Sequence, residues 1–285
     1  MSATRPLRAA SDERESRFGV RAATVVSLVG VIVGVLWWAP ATVFNVGVAA
    51  VVVLTVRELY LLPIVSVNSR VYRAAGLVCA ALVCAQMLVL PAVTFGVSMP
   101  LVVVVLLSTA VVATRRPRPE EFQELLFVVF GVLYVAGTLG QLILIRNLRL
   151  GRELVIALVV TVLAREAGAH AGGSLFPRQR PVNGSLNPRK GVAGGVVGVA
   201  AACATLVVLS RYLNIGFTVS RGVVFATSVG AACQFGDLAE SYIKRVAGRR
   251  HSGRALGPEG GLLDFVDAAA FATATAHPLL LWWGY

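Results

Sequence analysis

Charged loops divide this chain into apolar runs of about the length that crosses a bilayer, and this pattern limits its fold more than any other feature. A hydrocarbon core about 30 Å thick takes about 20 helical residues per crossing. Nine runs approach that length, at about 22–38, 41–56, 74–91, 97–114, 124–145, 153–170, 191–213, 217–236 and 264–283. The mean hydropathy of +0.78 and the hydrophobic content of 57% lie far above those of an ordinary soluble domain. No alternating segments suggest a barrel, and backbone in lipid must satisfy its own hydrogen bonds, so helices are the spanning element. The expected fold is all-α, a polytopic membrane protein of about nine transmembrane helices. A cleavable signal peptide is not expected: the first twenty residues are polar and charged, and no small-residue cleavage site follows Ala22–Trp38.

Basic residues orient the spans, because Lys and Arg collect in cytoplasmic loops. With the N-terminus inside, 21 of the 26 basic residues fall on the cytoplasmic side. The exceptions are Arg146, Arg149 and Arg152 in one external turn, with Arg211 and Arg221. Three regions are expected: a flexible cytoplasmic tail over 1–21, N-terminal membrane helices over 22–152, and a C-terminal catalytic-type membrane region over 153–285. The location is an integral membrane protein of a bacterial-type plasma membrane. The formal charge of +12 would suggest nucleic acid for a soluble protein, but here it marks loops facing anionic headgroups, so no nucleic-acid partner is expected. Cys79, Cys84, Cys203 and Cys233 all sit in apolar runs with no CxxC pair and read as small buried hydrophobes, not as zinc ligands or a disulfide framework.

Against this background Gly236–Asp267 stands out. It holds Asp237, Glu240, Glu259, Asp264 and Asp267, five of the 14 acidic residues, between two apolar runs. Charge at a membrane boundary is costly and needs a reason. If 237–245 is helical, Asp237, Ser241 and Lys244 share one face, and Glu240 pairs with Lys244 at a spacing of four. Mg²⁺ is held by one or two carboxylates together with substrate phosphates. Asp237 supplies such an oxygen, Lys244 and Arg245 suit phosphates, and Asp264 and Asp267 return at the start of the next span. Gly260 and Gly261 permit close backbone approach to an anion. The bland reading is a solvated helix end with an internal ion pair and an ordinary turn.

Two upstream clusters extend the pattern. Glu166 ends an apolar run beside Arg165, either as a metal-site carboxylate or as a salt-bridge partner; His170 is more simply interfacial. Arg189 and Lys190 precede Gly191, Gly194, Gly195 and Gly198, which suits either phosphate binding at a helix start or close helix packing with basic anchoring. His251 reads as a solvated loop residue, His277 as structural and Glu58, beside Arg57, as an interface ion pair.

The stretch GDLAESYIKRVAGRRHSGRALGPEGGLLDFVD resembles the signature of phosphatidate cytidylyltransferases (CDP-diacylglycerol synthases). Gly236, Asp237, Ser241, Lys244, Arg245, Gly260, Gly261, Asp264 and Asp267 fall on it in register. Glu166 lies where the family has the Asp of an Asp-x-x-Ala-Tyr element, and Pro188, Arg189 and Lys190 resemble its Ser-Pro-Lys-Lys element. The family's Lys-Asp is replaced by Arg250-His251, its Pro-Gly-His by Gly257-Pro258-Glu259, its Leu-Asp-Arg by Leu263-Asp264-Phe265, and a Glu after the Lys-Lys element by Ala193, so the chain reads as a divergent member. The resemblance implies an enzyme that joins CTP to a phosphatidate-like lipid phosphate, giving a CDP-lipid and pyrophosphate. One or two Mg²⁺ ions would be held by Asp237, Asp264 and Glu166. Asp237, Ser241, Lys244, Arg245, Asp264 and Asp267 would form the catalytic set, and Arg189, Lys190, Gly260 and Gly261 would bind phosphates on the cytoplasmic side. The partners are CTP, a lipid phosphate and membrane lipid; a homodimer is also allowed. The alternatives are a CTP-dependent lipid kinase of the polyprenol type, a catalytically impaired lipid- or nucleotide-binding paralogue and, more weakly, a transporter.

Overall fold

The computed structural model describes residue 34 and residues 37–65, 69–89, 95–113, 118–176, 191–249, 252–253 and 261–285. The 22–38 run, Arg189, Lys190, His251, Glu259 and Gly260 lie wholly or mostly outside them. Residues Met1–Pro40 form a separate unit, of which Gly34 and 37–38 are helical.

Residues Ala41–Tyr285 form one compact unit in which every apolar run becomes a helix. These are α1 (Ala41–Tyr60), α2 (Arg70–Val89), α3 (Phe95–Ala113), α4 (Pro119–Asn147), α5 (Gly151–Leu175), α6 (Val192–Leu209), α7 (Val219–Val246) and α8 (Leu262–Trp282). Six of them, α1, α2, α4, α5, α6 and α7, are long and apolar enough to cross a membrane; Pro100–Ala113 is a shorter apolar helix. Among the described residues six of the nine expected spans therefore meet these criteria, the 22–38 run lying mostly outside those residues. Helix α8 falls short for a chemical reason, since Asp264, Asp267 and His277 lower its hydropathy. The membrane-embedded, all-helical class stands.

Boundaries shift where charge continues a helix. The 217–236 run is only part of α7, whose 28 residues rise about 42 Å. The helix thus carries Asp237, Glu240, Ser241 and Lys244 beyond the apolar stretch without a break. Thr218 caps its start, accepting the Arg221 N–H at 3.3 Å.

Packing divides by side-chain size. Large apolar residues of α1, α2, α4 and α8, among them Val52, Leu59, Val83, Leu125, Ile143 and Leu263, make one buried core. Helices α5 and α6 instead meet through glycines. A Cβ on Gly168 would lie 2.9 Å from the Cα of Gly198, and one on Gly172 would lie 3.0 Å from that of Gly194. Small residues let membrane helices approach this closely. Of the two readings of the glycine-rich segment, packing accounts for Gly194 and Gly198. Helices α7 and α8 use the same device at Gly236, whose missing Cβ would fall 2.7 Å from the carbonyl oxygen of Asp267.

Candidate active site

The start of α8 is built by two carboxylates. Glu58, on the last turn of α1, accepts the N–H groups of Leu262 at 2.8 Å and Leu263 at 3.1 Å, together with the hydroxyl of Ser252. Asp264 reaches back to the Gly261 N–H at 2.9 Å and accepts the Ser252 N–H at 3.2 Å. The orphan donors of a helix N-terminus, and its positive end, are thereby satisfied. The expectation that Glu58 is an interface ion pair is corrected: this buried carboxylate caps a remote helix. Its oxygens fill the space where a Cβ of Gly261 would stand, so glycine there makes room for Glu58.

Arg165, on α5, sits beside Asp237. It is 1% exposed, yet it carries a full positive charge. Its Nη1 donates to Asp237 Oδ2 at 2.8 Å and to Glu166 Oε2 at 2.7 Å, while Nη2 donates to the amide oxygen of Gln234. Two of the three carboxylates expected to grip a metal ion are thus held together by a guanidinium. Burying an arginine demands such pairing, since an unpaired interior charge is prohibitively costly. His170 is largely exposed and lies 3.7 Å from Glu166.

A third group lies between α7 and α8. Lys244 bridges Glu240, four residues before it, and Asp264 Oδ1 at 3.2 Å. One ammonium thus lies between the Glu240 and Asp264 carboxylates. Ser241 turns its hydroxyl onto the Asp237 carbonyl at 2.9 Å. Asp267, also buried, accepts the Ala268 N–H at 2.6 Å, and its backbone abuts Gly236. Arg245 faces outward.

Sequence residues 70 to 100 positions apart therefore gather at one end of α5, α7 and α8. The described contacts form two sets: Arg165 joins Glu166 to Asp237, whose carbonyl holds Ser241, and Asp264 joins Lys244 to Gly261, while Asp267 meets α7 at Gly236; Arg189, Lys190 and Gly260 lie outside the described residues. The Arg165–Glu166 salt bridge is one of the two readings the sequence left open for Glu166, but the reach of Arg165 to Asp237 was not foreseen. Its signal was an arginine within an apolar run, which a count of loop charges absorbs too readily. Gln234 and Tyr134, the latter on α4 with its ring edge-on to Phe271 of α8, carried no signal at all.

Among the described residues no group of three or more His, Cys, Asp or Glu is arranged to hold a metal ion. The donor chemistry nonetheless suits a hard cation, because every acid at this end offers oxygen. The positive charge beside these acids belongs to Arg165 and Lys244.

Comparison with known proteins agrees with this geometry. Residues 19–283 match the profile of the cytidylyltransferase family. A phosphatidate cytidylyltransferase of Helicobacter pylori is 34% identical over 134 residues, 46% of this chain and 48% of that protein. Phosphatidate cytidylyltransferase 5 of Arabidopsis thaliana, a chloroplastic protein, is 26% identical over 277 residues, 87% of this chain and 68% of its own. The Bacillus subtilis phosphatidate cytidylyltransferase is 30% identical over 163 residues, 56% of this chain and 59% of its own. The chain spans about a third to a half of the length of the first curated relatives it matches. With the profile covering nearly the whole chain and the signature acids collected at one end of three helices, the chain belongs to the cytidylyltransferase family.

Proposed function

We propose that this membrane protein transfers the cytidylyl group of CTP to a phosphatidate-like lipid phosphate. A lipid phosphate oxygen attacks the α-phosphorus of CTP, the bond to the β-phosphate breaks, and a CDP-lipid and pyrophosphate result. The observation that carries this reading is the juxtaposition of acids and bases from α5, α7 and α8 in a chain whose sequence matches this family over residues 19–283. Phosphoryl chemistry of this kind depends chiefly on positioning and charge neutralisation.

Asp237, Asp264 and Glu166 would hold Mg²⁺, one or two ions, with Asp267 beside them. The ion, when bound, neutralises phosphate charge and polarises a phosphoryl oxygen. The protein's own residues do the rest. Lys244 and Arg245, with Arg189, Lys190, Gly260 and Gly261, bind phosphate oxygens, and Ser241 fixes the turn of α7 that presents Asp237. Arg165 keeps Asp237 and Glu166 together, so that both acids are already in position. The chemistry belongs to the 153–285 region and is braced by 22–152, from which Glu58 sets the start of α8. The site faces the cytoplasm, where CTP is available.

The test is transfer of label from α-phosphate-labelled CTP to phosphatidate in mixed micelles, with and without Mg²⁺, for the purified protein and Asp237→Ala. Label in a lipid product with release of pyrophosphate, both lost in the variant, is the expected result. Release of CDP with transfer of the terminal phosphate would make the protein a lipid kinase. No turnover across several lipid phosphates would overturn the reading in favour of a binding protein.

A further inference from the structure

Helix α4 departs from regular α-helix just before the turn Gly137–Leu139 that packs on α8. Residues Val132–Ala136 wind as a π-helix, a short irregularity that occurs mostly as a bulge and frequently at functional sites. Tyr134 lies at its centre. The ring stacks on Phe130 at 5.3 Å between centroids and meets Phe271 of α8 edge-on at 6.2 Å. The residue is only 9% exposed. Its hydroxyl, shielded from solvent, has no hydrogen-bond partner among the described residues. Phe271 follows Asp267 by one helical turn and its ring lies beside Gly236, so Tyr134 sits against the α7–α8 contact that carries Asp237 and Asp267.

A buried hydroxyl without a partner costs free energy, and native proteins keep few of them. Tyr60, another deeply buried tyrosine of the core, obeys the rule: its hydroxyl donates to the Val128 carbonyl at 2.6 Å. Phenylalanine would meet both ring contacts of Tyr134 without that cost. Two further buried donors near the acids also lack acceptors among the described residues, Arg165 Nε and Gln234 Nε2. A surplus of shielded donors beside carboxylates suits a ligand rich in acceptor oxygens.

We propose that the Tyr134 hydroxyl donates a hydrogen bond to a phosphate oxygen of the bound substrate, so that the π-helical turn of α4 supplies a donor to a site otherwise built from α5, α7 and α8. This rests on the cytidylyltransferase reading. The phosphate belongs either to the nucleotide or to the lipid, and the kinetics separate the two.

The test is Tyr134→Phe in the purified full-length protein, which deletes one oxygen and keeps the ring. The expected result pairs an unchanged or higher Tm with a fall of tenfold or more in kcat/KM. A change confined to the KM for CTP assigns the nucleotide phosphates; one confined to the KM for phosphatidate assigns the lipid phosphate. Equilibrium binding of CTP, and of phosphatidate in micelles, is measured in parallel. If the wild type does not turn over, the functional reading fails, while weaker binding of either ligand by the variant still supports the donor. Wild-type kinetics and affinities for both ligands in Tyr134→Phe would overturn the proposal. So would a Tm that falls in step with activity, because the hydroxyl would then be structural. Tyr134→Leu, which also removes the ring, serves as the packing control and is expected to lower Tm.

Discussion

Arg165 shows how one side chain can organise a site made of acids. Its guanidinium touches Asp237, Glu166 and Gln234 from a position with almost no contact with solvent. Removing one member of a buried ion pair costs about 3–5 kcal/mol, because the remaining charges are left uncompensated. Arg165→Ala is therefore expected to lower thermal stability in detergent by about that amount and to abolish transfer. Arg165→Lys keeps the charge but has no planar fork with which to hold two carboxylates and an amide at once. It should recover much of the stability and little of the activity, and thermal melts beside turnover measurements would separate the two effects. Glu58 gives a second case. Glu58→Ala leaves the Leu262 and Leu263 N–H groups and the Ser252 hydroxyl without their acceptor, a loss of about 1–3 kcal/mol for an unsatisfied buried group. Hydrogen exchange should quicken first at the start of α8, since its cap is what the substitution removes.

At the scale of elements, carboxylates end one helix or line another in order to begin a third. Glu124 of α4, fully buried, accepts the Ser69 N–H at 2.8 and 3.0 Å where α2 begins and lies 3.4 Å from Arg73, much as Glu58 of α1 serves α8. Such remote caps are invisible to a reading along the chain, because donor and acceptor are joined only by the fold. The helices themselves were legible: each apolar run from residue 41 onward became one, with ends moved by a few residues. The exception is α7, where polar residues on one face continue a helix that hydropathy alone would stop. The acids were legible as a cluster by rarity and spacing, and so was the Glu240–Lys244 pair, whereas the link from Arg165 to Asp237 and the place of Tyr134 were not, since Arg165 reads as a loop charge and Tyr134 as one more apolar position. The glycines were legible as a class, and structure was needed to distinguish packing from phosphate binding. Their packing role makes a direct prediction. Gly168→Val would drive a side chain toward the Gly198 backbone and the Ala201 Cβ, where α6 has no flexible side chain to yield. Overpacking of this kind costs about 1–3 kcal/mol, and a rigid backbone contact belongs at the upper end. A lower Tm with loss of activity is expected, whereas Gly248→Ala, which meets open space at a positive φ of 63°, should show only modest backbone strain.

For the whole molecule, charge is sorted along the helix axes. On α5, Arg152 lies about 21 Å before Glu166 at 1.5 Å per residue, and on α7, Arg221 lies about 24 Å before Asp237. The end of α8 completes the same pole, where Arg221 stacks over Trp283 at 5.6 Å and the Tyr285 hydroxyl reaches the Ile215 carbonyl. One pole of the bundle thus carries the acids with Lys244 and Arg165, and the other carries Arg146, Arg149, Arg152 and Arg221. We propose from the positive-inside count that the acid pole faces the cytoplasm, against the local pull of that arginine turn. Nucleotide chemistry requires the same orientation, because CTP is not available outside the cell. Single cysteines decide the matter in a background where Cys79, Cys84, Cys203 and Cys233 are replaced. Arg149→Cys and Arg249→Cys sit at exposed positions on opposite poles. In right-side-out vesicles a membrane-impermeant maleimide should label the cysteine at position 149 at once and the one at 249 only after permeabilisation. The reverse pattern would place Asp237 and Asp264 beyond the reach of cytoplasmic nucleotide, and no arrangement of carboxylates could then make this chain a cytidylyltransferase in the cell.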